Sequence, residues 1–280
     1  MAIKKLDSTL ADSRASVAMR TDRATVDPKK LKLGKAVARH DPRTLLLASY
    51  LTPALPAPPA SLDISTKVSS WGMMANDQLG DCTCAAAGHL IMEWTANAGK
   101  QTVTPTDQQI IAAYSAITGY SPVTGANDNG ANEVDVLNYW RQTGIAGDQI
   151  GGYVALEPAN HTHVMDSVYM FEGCYIGLQL PKTAQAQTQN NQPWSVPPSG
   201  TGGDGAPGSW GGHAVPVVAY DTRGVTVVTW GALQIMTWSF WATYCDEAYA
   251  ILSTDYINGN KQAPQGFSLQ QLQADLTDLK

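Results

Sequence analysis

The stretch NDQLGDCTCAAAGH, from Asn76 to His89, determines how the rest of this sequence is interpreted. It places two cysteines, Cys82 and Cys84, one residue apart at the head of an alanine-rich run. The small residues at 85–88 allow close packing against neighbours, and a glycine at position 99 can end a helix. The pattern predicts a buried helix from about 82 to 97, with a cysteine in its first turn, where the helix dipole favours a thiolate.

Further along the chain, helical periodicity comes first and strand-like patterns follow. Capping residues and apolar stripes predict helices beginning at Thr106, from about 131 to 143 before Gly144, and from after Asn160 to Phe171. The later segments GCYIGLQL, HAVPVVAY, GVTVVTW and AYAILS are short and rich in β-branched and aromatic residues, so they indicate strands. Helices followed by strands predict an α+β fold.

Charge is unevenly distributed along the sequence. Through Arg43 there are eleven Lys and Arg against five Asp, a net charge of +6, whereas the whole chain carries −6. The body is therefore acidic, which disfavours nucleic-acid binding because affinity for phosphates comes from clustered Lys and Arg. A proline-rich stretch, TPALPAPPA, follows the basic arm and predicts an extended strap.

No apolar run of the sequence is long enough to span a bilayer, and the first residues lack the apolar core of a secretory signal. We therefore expect a cytoplasmic or virion-associated protein with no membrane partner. The four cysteines are irregularly spaced, which does not indicate a disulfide framework and leaves a thiol free for chemistry.

Three stretches of the chain carry a resemblance to a known family: QLGDCTCAAA, then WGGHAVPVVAYD, and then VVTWG. Together they resemble the papain-like cysteine peptidases, and the chain would be a divergent bacterial or phage-type member. The resemblance spans roughly 71–253 and implies a helical left part and a β-rich right part with a cleft between them, preceded by an extended N-terminal arm. It suggests a basic arm and Pro-rich strap at 1–65, a papain-like domain at 66–260, and a C-terminal docking helix at 261–280.

Carried over by position, the resemblance implies that Cys84 is the nucleophile, His213 the general base and Gln78 the oxyanion-hole glutamine. Gln78 stands at the family spacing from Cys84, so Cys82 is interpreted as a neighbouring packing thiol. The third catalytic position is open, because counting from His213 reaches Thr229, whereas counting back from the Trp-Gly pair reaches Val228. Neither is the family's asparagine, but a threonine hydroxyl can still orient an imidazole.

The expected function is a cysteine peptidase or amidase acting on a peptide or protein substrate, with no cofactor. The cysteine pair and the histidines at 161, 163 and 89 lack the partners of a metal site, so no metal is predicted. An alternative function is a catalytically weakened papain-like module in a virion or homo-oligomer, which contacts a neighbour through its basic arm. A third interpretation treats the arm as a prosegment that blocks the cleft.

Overall fold

The computed structural model describes residues 30–39, 41–99, 101–254 and 266–278. The predictions for most of the basic arm, for His40 and for Leu279 lie outside these residues. The helices are α1 Cys82–Asn97, α2 Asp107–Thr118, α3 Glu133–Gln142, α4 His161–Phe171, α5 Thr183–Gln189, α6 Trp238–Tyr244 and α7 Leu269–Asp278. The strands are β1 Leu62–Asp63, β2 Ile150–Ala155, β3 Cys174–Leu180, β4 Gly211–Asp221, β5 Gly224–Thr229, β6 Ala232–Thr237 and β7 Cys245–Ser253.

The strands form one antiparallel sheet in the order β2-β7-β3-β4-β5-β6, with β1 paired to β4 at its side. The two faces of this sheet bury separate clusters. One face packs against α1, α2 and α3 through residues such as Tyr175, Ala214 and Val228. The other packs against α4, α6 and α7. The predicted α+β class, in which helices pack on an antiparallel sheet, is confirmed.

Local signals account for the helices. Thr106 and Gln109 form the predicted capping box at the start of α2, and Gly119 ends this helix in the left-handed conformation at φ 75°. Asn160 caps α4 by accepting hydrogen bonds from the main-chain N–H groups of Thr162 and His163. Helix α1 spans the residues that the alanine-rich run predicts.

Pro216 lies inside β4, a strand with neighbours on both sides. It is opposite Tyr175 of β3, and pairing of β4 with β5 begins only at Val217, with a register shift before Ala219. The proline therefore stands before the β5 ladder begins, where its missing N–H removes no bond to that strand.

The C-terminal helix α7 packs against the residues just before the proline-rich stretch. Leu272 and Leu276 are buried in the same cluster as Leu47 and Tyr50. The Tyr50 hydroxyl donates a hydrogen bond of 2.7 Å to Asp275. Among the described residues, no helix has the length and apolar character needed to cross a bilayer.

Candidate active site

The candidate site lies where the N-terminus of α1 meets β4. Cys82 is the first residue of α1, and its sulfur accepts a hydrogen bond of 3.4 Å from the main-chain N–H of Ala214. Ala214 directly follows His213, so the first cysteine of the pair contacts the strand beside the predicted base. The Tyr175 hydroxyl of β3, the strand next to β4, donates to the carbonyl of Thr83 at 2.8 Å and fixes the helix on the sheet.

The second cysteine, the predicted nucleophile, points elsewhere. Residues two apart on an α-helix differ by roughly 200° in direction. Because Cys82 faces β4, Cys84 is turned toward the opposite side of α1. It has no exposed surface, and burial raises the pKa of its thiol well above the ordinary value. These contacts favour Cys82, whereas the family spacing from Gln78 indicates Cys84.

His213 is buried near the start of β4 and is held on two sides. Its Nε2 lies 2.7 Å from the Thr229 hydroxyl at the end of β5. The indole of Trp230 stacks on the imidazole at 4.4 Å with an interplanar angle of 16°. Of the two residues left open for the third position, it is Thr229 rather than Val228 whose side chain contacts the histidine.

The main chain explains how Trp230 reaches this position. Thr229 of β5 pairs with Ala232 of β6, so Trp230 and Gly231 form a two-residue hairpin turn. Both have positive φ, at 46° and 71°, as a type I′ turn requires. A tryptophan in this region is uncommon, and the turn sets its indole against His213.

Gln78, the predicted oxyanion-hole residue, is exposed in the turn that leads into α1. The turn is fixed by main-chain bonds from Gln78 and Leu79 to the carbonyl of Ala75. Gly80 is anchored by a bond of 2.9 Å from its N–H to Asp128. Gln78 thus stands four residues before Cys82 and six before Cys84.

A buried carboxyl group lies next to the Cys82 thiol in the sequence. Asp81 precedes Cys82, and its burial raises the pKa of the carboxyl to about 8. Burial also raises the pKa of Cys82 to about 12, with a further contribution from Asp81, although main-chain donors at Ala214 and Gly34 oppose the shift. The thiol of this closed chain is therefore protonated at neutral pH.

The site is covered by residues 30–39, here called the cleft segment. Its main chain bonds to the helical side, where Ala131 donates to Gly34 at 2.8 Å and Ala36 donates to Ala131 at 2.9 Å. It also bonds to the sheet side, where Lys35 donates to Gly212 at 3.1 Å and the Trp230 indole donates to Lys32 at 3.0 Å. The cleft segment therefore bridges the two parts of the fold.

Glycines make this close approach possible. A Cβ on Gly34 would lie 1.7 Å from the carbonyl oxygen of Gly80, and a Cβ on Gly130 would lie 2.1 Å from that of Gly34. A Cβ on Gly212 would lie 2.2 Å from the carbonyl oxygen of Lys35. The main chains of the segment and of both cleft walls are thus packed against one another without side chains between them.

Three features of the structure were not anticipated from the sequence: the contact of Cys82 with β4, the position of the cleft segment, and the carboxylates around Lys35. A signal for Cys82 was present, because the helix predicted to start at 82 places that residue, rather than Cys84, at the first helical position. Two other tryptophans pack in different places: Trp210 packs on Trp230, whereas Trp238 stacks on His161.

No group of metal-ligating side chains occurs within the described ranges. His89 bonds to the carbonyl of Gly72 at 3.2 Å, and its burial lowers its pKa to about 4, so it is a neutral core residue.

No protein-family model matches the chain, and no curated protein matches it in sequence. Solved structures do match. Xylellain, a cysteine protease from Xylella fastidiosa, is 15% identical with a TM-score of 0.59, over 80% of this chain and 97% of that one. Digestive procathepsin L 3 from Tenebrio molitor larval midgut is 16% identical with a TM-score of 0.51, over 80% and 77%.

A second Tenebrio molitor structure, digestive procathepsin L2 proteinase, is 12% identical with a TM-score of 0.51, over 81% of this chain and 79% of that one. Structural matches at sequence identities this low establish the fold alone, and the fold of this chain is papain-like.

Proposed function

We propose that this chain, which has the papain-like fold, is a cysteine peptidase or amidase whose nucleophile is Cys82 and whose base is His213. The observation that carries the proposal is the contact between the Cys82 sulfur and the main-chain N–H of Ala214, next to a histidine whose far nitrogen is bound by Thr229. This assignment replaces Cys84, because only one of two cysteines at this spacing can face β4.

The chemistry follows from the positions of the groups. Nε2 of His213 is directed to Thr229, which leaves Nδ1 as the nitrogen that takes the proton from Cys82. The thiolate attacks an amide carbonyl, the C–N bond breaks as the amine leaves with the proton held by His213, and water then hydrolyses the acyl-enzyme to the acid and the free thiol. The main-chain N–H of Cys82, at the first helical position, and the amide of Gln78 stabilise the oxyanion.

In the closed form, the cleft segment keeps this chemistry inactive. Its main chain passes over Cys82, and the burial that results accounts for the raised thiol pKa. Displacing the segment exposes the thiol to water, which favours the thiolate, as does the dipole of α1 at this position. We therefore infer a latent enzyme, in which the arm acts as a blocking segment. The alternative role in assembly stays a prediction of the sequence, since a single chain contains no contact between copies.

The test is reaction of the full chain with iodoacetamide near neutral pH, followed by peptide mapping, in the parent and in Gly34→Ala, which is designed to displace the cleft segment. We expect fast labelling of Cys82 in Gly34→Ala, reduced about 100-fold when His213→Ala is added. Hydrolysis of a mixed peptide pool should be lost in Cys82→Ala and retained in Cys84→Ala. Labelling of Cys84 instead, or labelling insensitive to His213, would reject the proposal.

A further inference from the structure

The side chain of Lys35 leaves the cleft segment and enters an acidic pocket, formed by the buried Glu133 and Glu247 and the more exposed Asp246. Its side chain has no exposed surface. The ammonium lies 2.8 Å from the Glu247 carboxylate and 3.0 Å from that of Asp246. It also donates to the carbonyl of Ala36 at 3.2 Å. All three hydrogens of the ammonium therefore have acceptors in reach.

The pocket places three carboxyl groups around a single ammonium. Glu133 is fully buried, and neither of its carboxylate oxygens accepts a hydrogen bond from a described residue. Burial raises the pKa of Glu133 well above its ordinary value, and Glu247 adds to the shift. For Lys35, burial works against the ammonium, but Glu133 and Glu247 outweigh it and raise the pKa. A cation is the occupant that this group of carboxyls stabilises.

The acidic pocket is built to hold a long side chain. A Cβ on Gly177 of β3 would lie 2.0 Å from Cε of Lys35 and 2.8 Å from the Glu133 carboxylate, so any other residue there would fill the space. Two further contacts orient the walls: Tyr249 donates to Glu247 at 2.8 Å, and Gln179 donates to Asp246 at 2.7 Å. These carboxylates are thus held in place by the sheet rather than by Lys35 alone.

The pocket also lies at the reacting thiol. The residue before Lys35 is Gly34, whose main chain lies against the Cys82 sulfur. A peptide lying in the same cleft places the side chain of a residue next to the scissile bond at the mouth of the acidic pocket. The pocket is therefore part of the wall that a substrate meets.

We propose that the acidic pocket of Glu133, Asp246 and Glu247 is a recognition site for a primary ammonium side chain, so that the enzyme prefers peptides with lysine beside the scissile bond. This inference rests on the proposed function. Lys35 occupies the pocket in the closed chain in place of that substrate residue.

The pocket itself is tested without activity. Lys35→Ala leaves a cavity of the shape of n-propylammonium, which we add as the probe while recording the Tm of the full chain. We expect a saturable rise in Tm for Lys35→Ala, no rise with propan-1-ol, and no rise in the parent, whose pocket is filled. An equal response to amine and alcohol would overturn the site.

The selectivity is tested with the full-length Gly34→Ala chain and matched peptides that carry lysine, norleucine or glutamate at each position flanking the cleaved bond. We expect kcat/KM for lysine to exceed that for norleucine by about 10- to 100-fold, as a charge-assisted hydrogen bond provides. Glu247→Gln should lower this ratio at least about fivefold, whereas the exposed Asp204→Asn should leave it unchanged.

The two proposals fail differently. If Cys82 labels in a His213-dependent manner and norleucine peptides are cut as fast as lysine peptides, lysine recognition is overturned and the peptidase stands. If no peptide is cut and labelling ignores His213, the peptidase is overturned. The propylammonium response then decides whether the pocket still binds an ammonium group.

Discussion

The substitution Gly34→Ala isolates the contact on which latency depends. Its added methyl carbon would lie 1.7 Å from the carbonyl oxygen of Gly80, far inside van der Waals contact. That oxygen belongs to a main chain fixed by the hydrogen bond from Gly80 to Asp128, so it cannot move aside cheaply. The φ angle of Gly34 is not in the left-handed region, so alanine introduces a clash but no backbone strain.

The expected increase in the labelling rate of Cys82 follows from the free-energy cost of overpacking. Forcing a methyl group into a well-packed site costs about 1–3 kcal/mol, and contact with a fixed main chain belongs at the upper end. If the cleft segment relieves the clash by leaving the cleft, about 3 kcal/mol raises the open population roughly 100-fold, since each 1.4 kcal/mol is a factor of ten. When the segment opens and closes faster than the thiol reacts, the alkylation rate rises by the same factor.

The assay is the rate of iodoacetamide labelling at each cysteine under native conditions. Cys82 should label about 100-fold faster in Gly34→Ala than in the parent, whereas Cys174, buried in the opposite core, should not change and reports global unfolding. Gly202→Ala is the matched control, because a Cβ there meets nothing within 4 Å. An unchanged rate at Cys82, or an equal rise at Cys174, would refute the reasoning.

Two further predictions concern the groups beside the thiol. Thr229→Val removes the hydroxyl that holds Nε2 of His213 and should lower kcat of the opened enzyme about tenfold, whereas Thr229→Ser should restore it. Equal kcat in the opened parent and in both variants would assign Thr229 to packing alone. Burial raises the pKa of Asp81 to about 8, so the folded chain keeps a proton that the unfolded chain releases near pH ~4, and stability falls as pH rises between those values. Asp81→Asn should flatten this part of a urea-unfolding pH profile and stabilise the chain at pH ~8, and an unaltered slope would contradict it.

Local patterns were sufficient for the elements whose signals are strong. The helices α1 to α4 were predicted from caps and apolar spacing, and β3, β4, β5 and β7 from β-branched and aromatic runs. Strand β6, ALQIMT, was missed because its residues suit a helix as well as a strand, and only its pairing with β5 decides between them. Strand β2 was also missed, because its two glycines, Gly151 and Gly152, are typical of a turn. Gly152 is nevertheless required in the strand, because Leu276 of α7 packs against it and leaves no room for a Cβ.

The contact between the histidine and the threonine was predictable from the sequence, whereas the direction of each cysteine side chain was not. The contact between His213 and Thr229 follows from the length of the β4–β5 hairpin, which counting along the sequence reproduces. The cysteine depends on the direction in which a side chain leaves α1, and residue spacing from Gln78 does not contain that information. The acidic pocket could not be predicted from the sequence. Glu133 of α3 and Glu247 of β7 are far apart in the chain, and only the fold brings them together.

Under the proposed function, the cleft segment needs only weak contacts to keep the enzyme latent, because these contacts are made within one chain. Its hydrogen bonds to Ala131, Gly212 and Trp230 are each worth about 1 kcal/mol, and the buried Lys35 contributes less than its short distances suggest, since desolvation offsets the attraction. As a separate peptide, the cleft segment would bind the body weakly through these contacts. Tethered to the body, the segment is present at an effective concentration on the order of millimolar, which keeps the cleft filled. Latency therefore depends on the continuity of the chain between the segment and the body as much as on the contacts themselves.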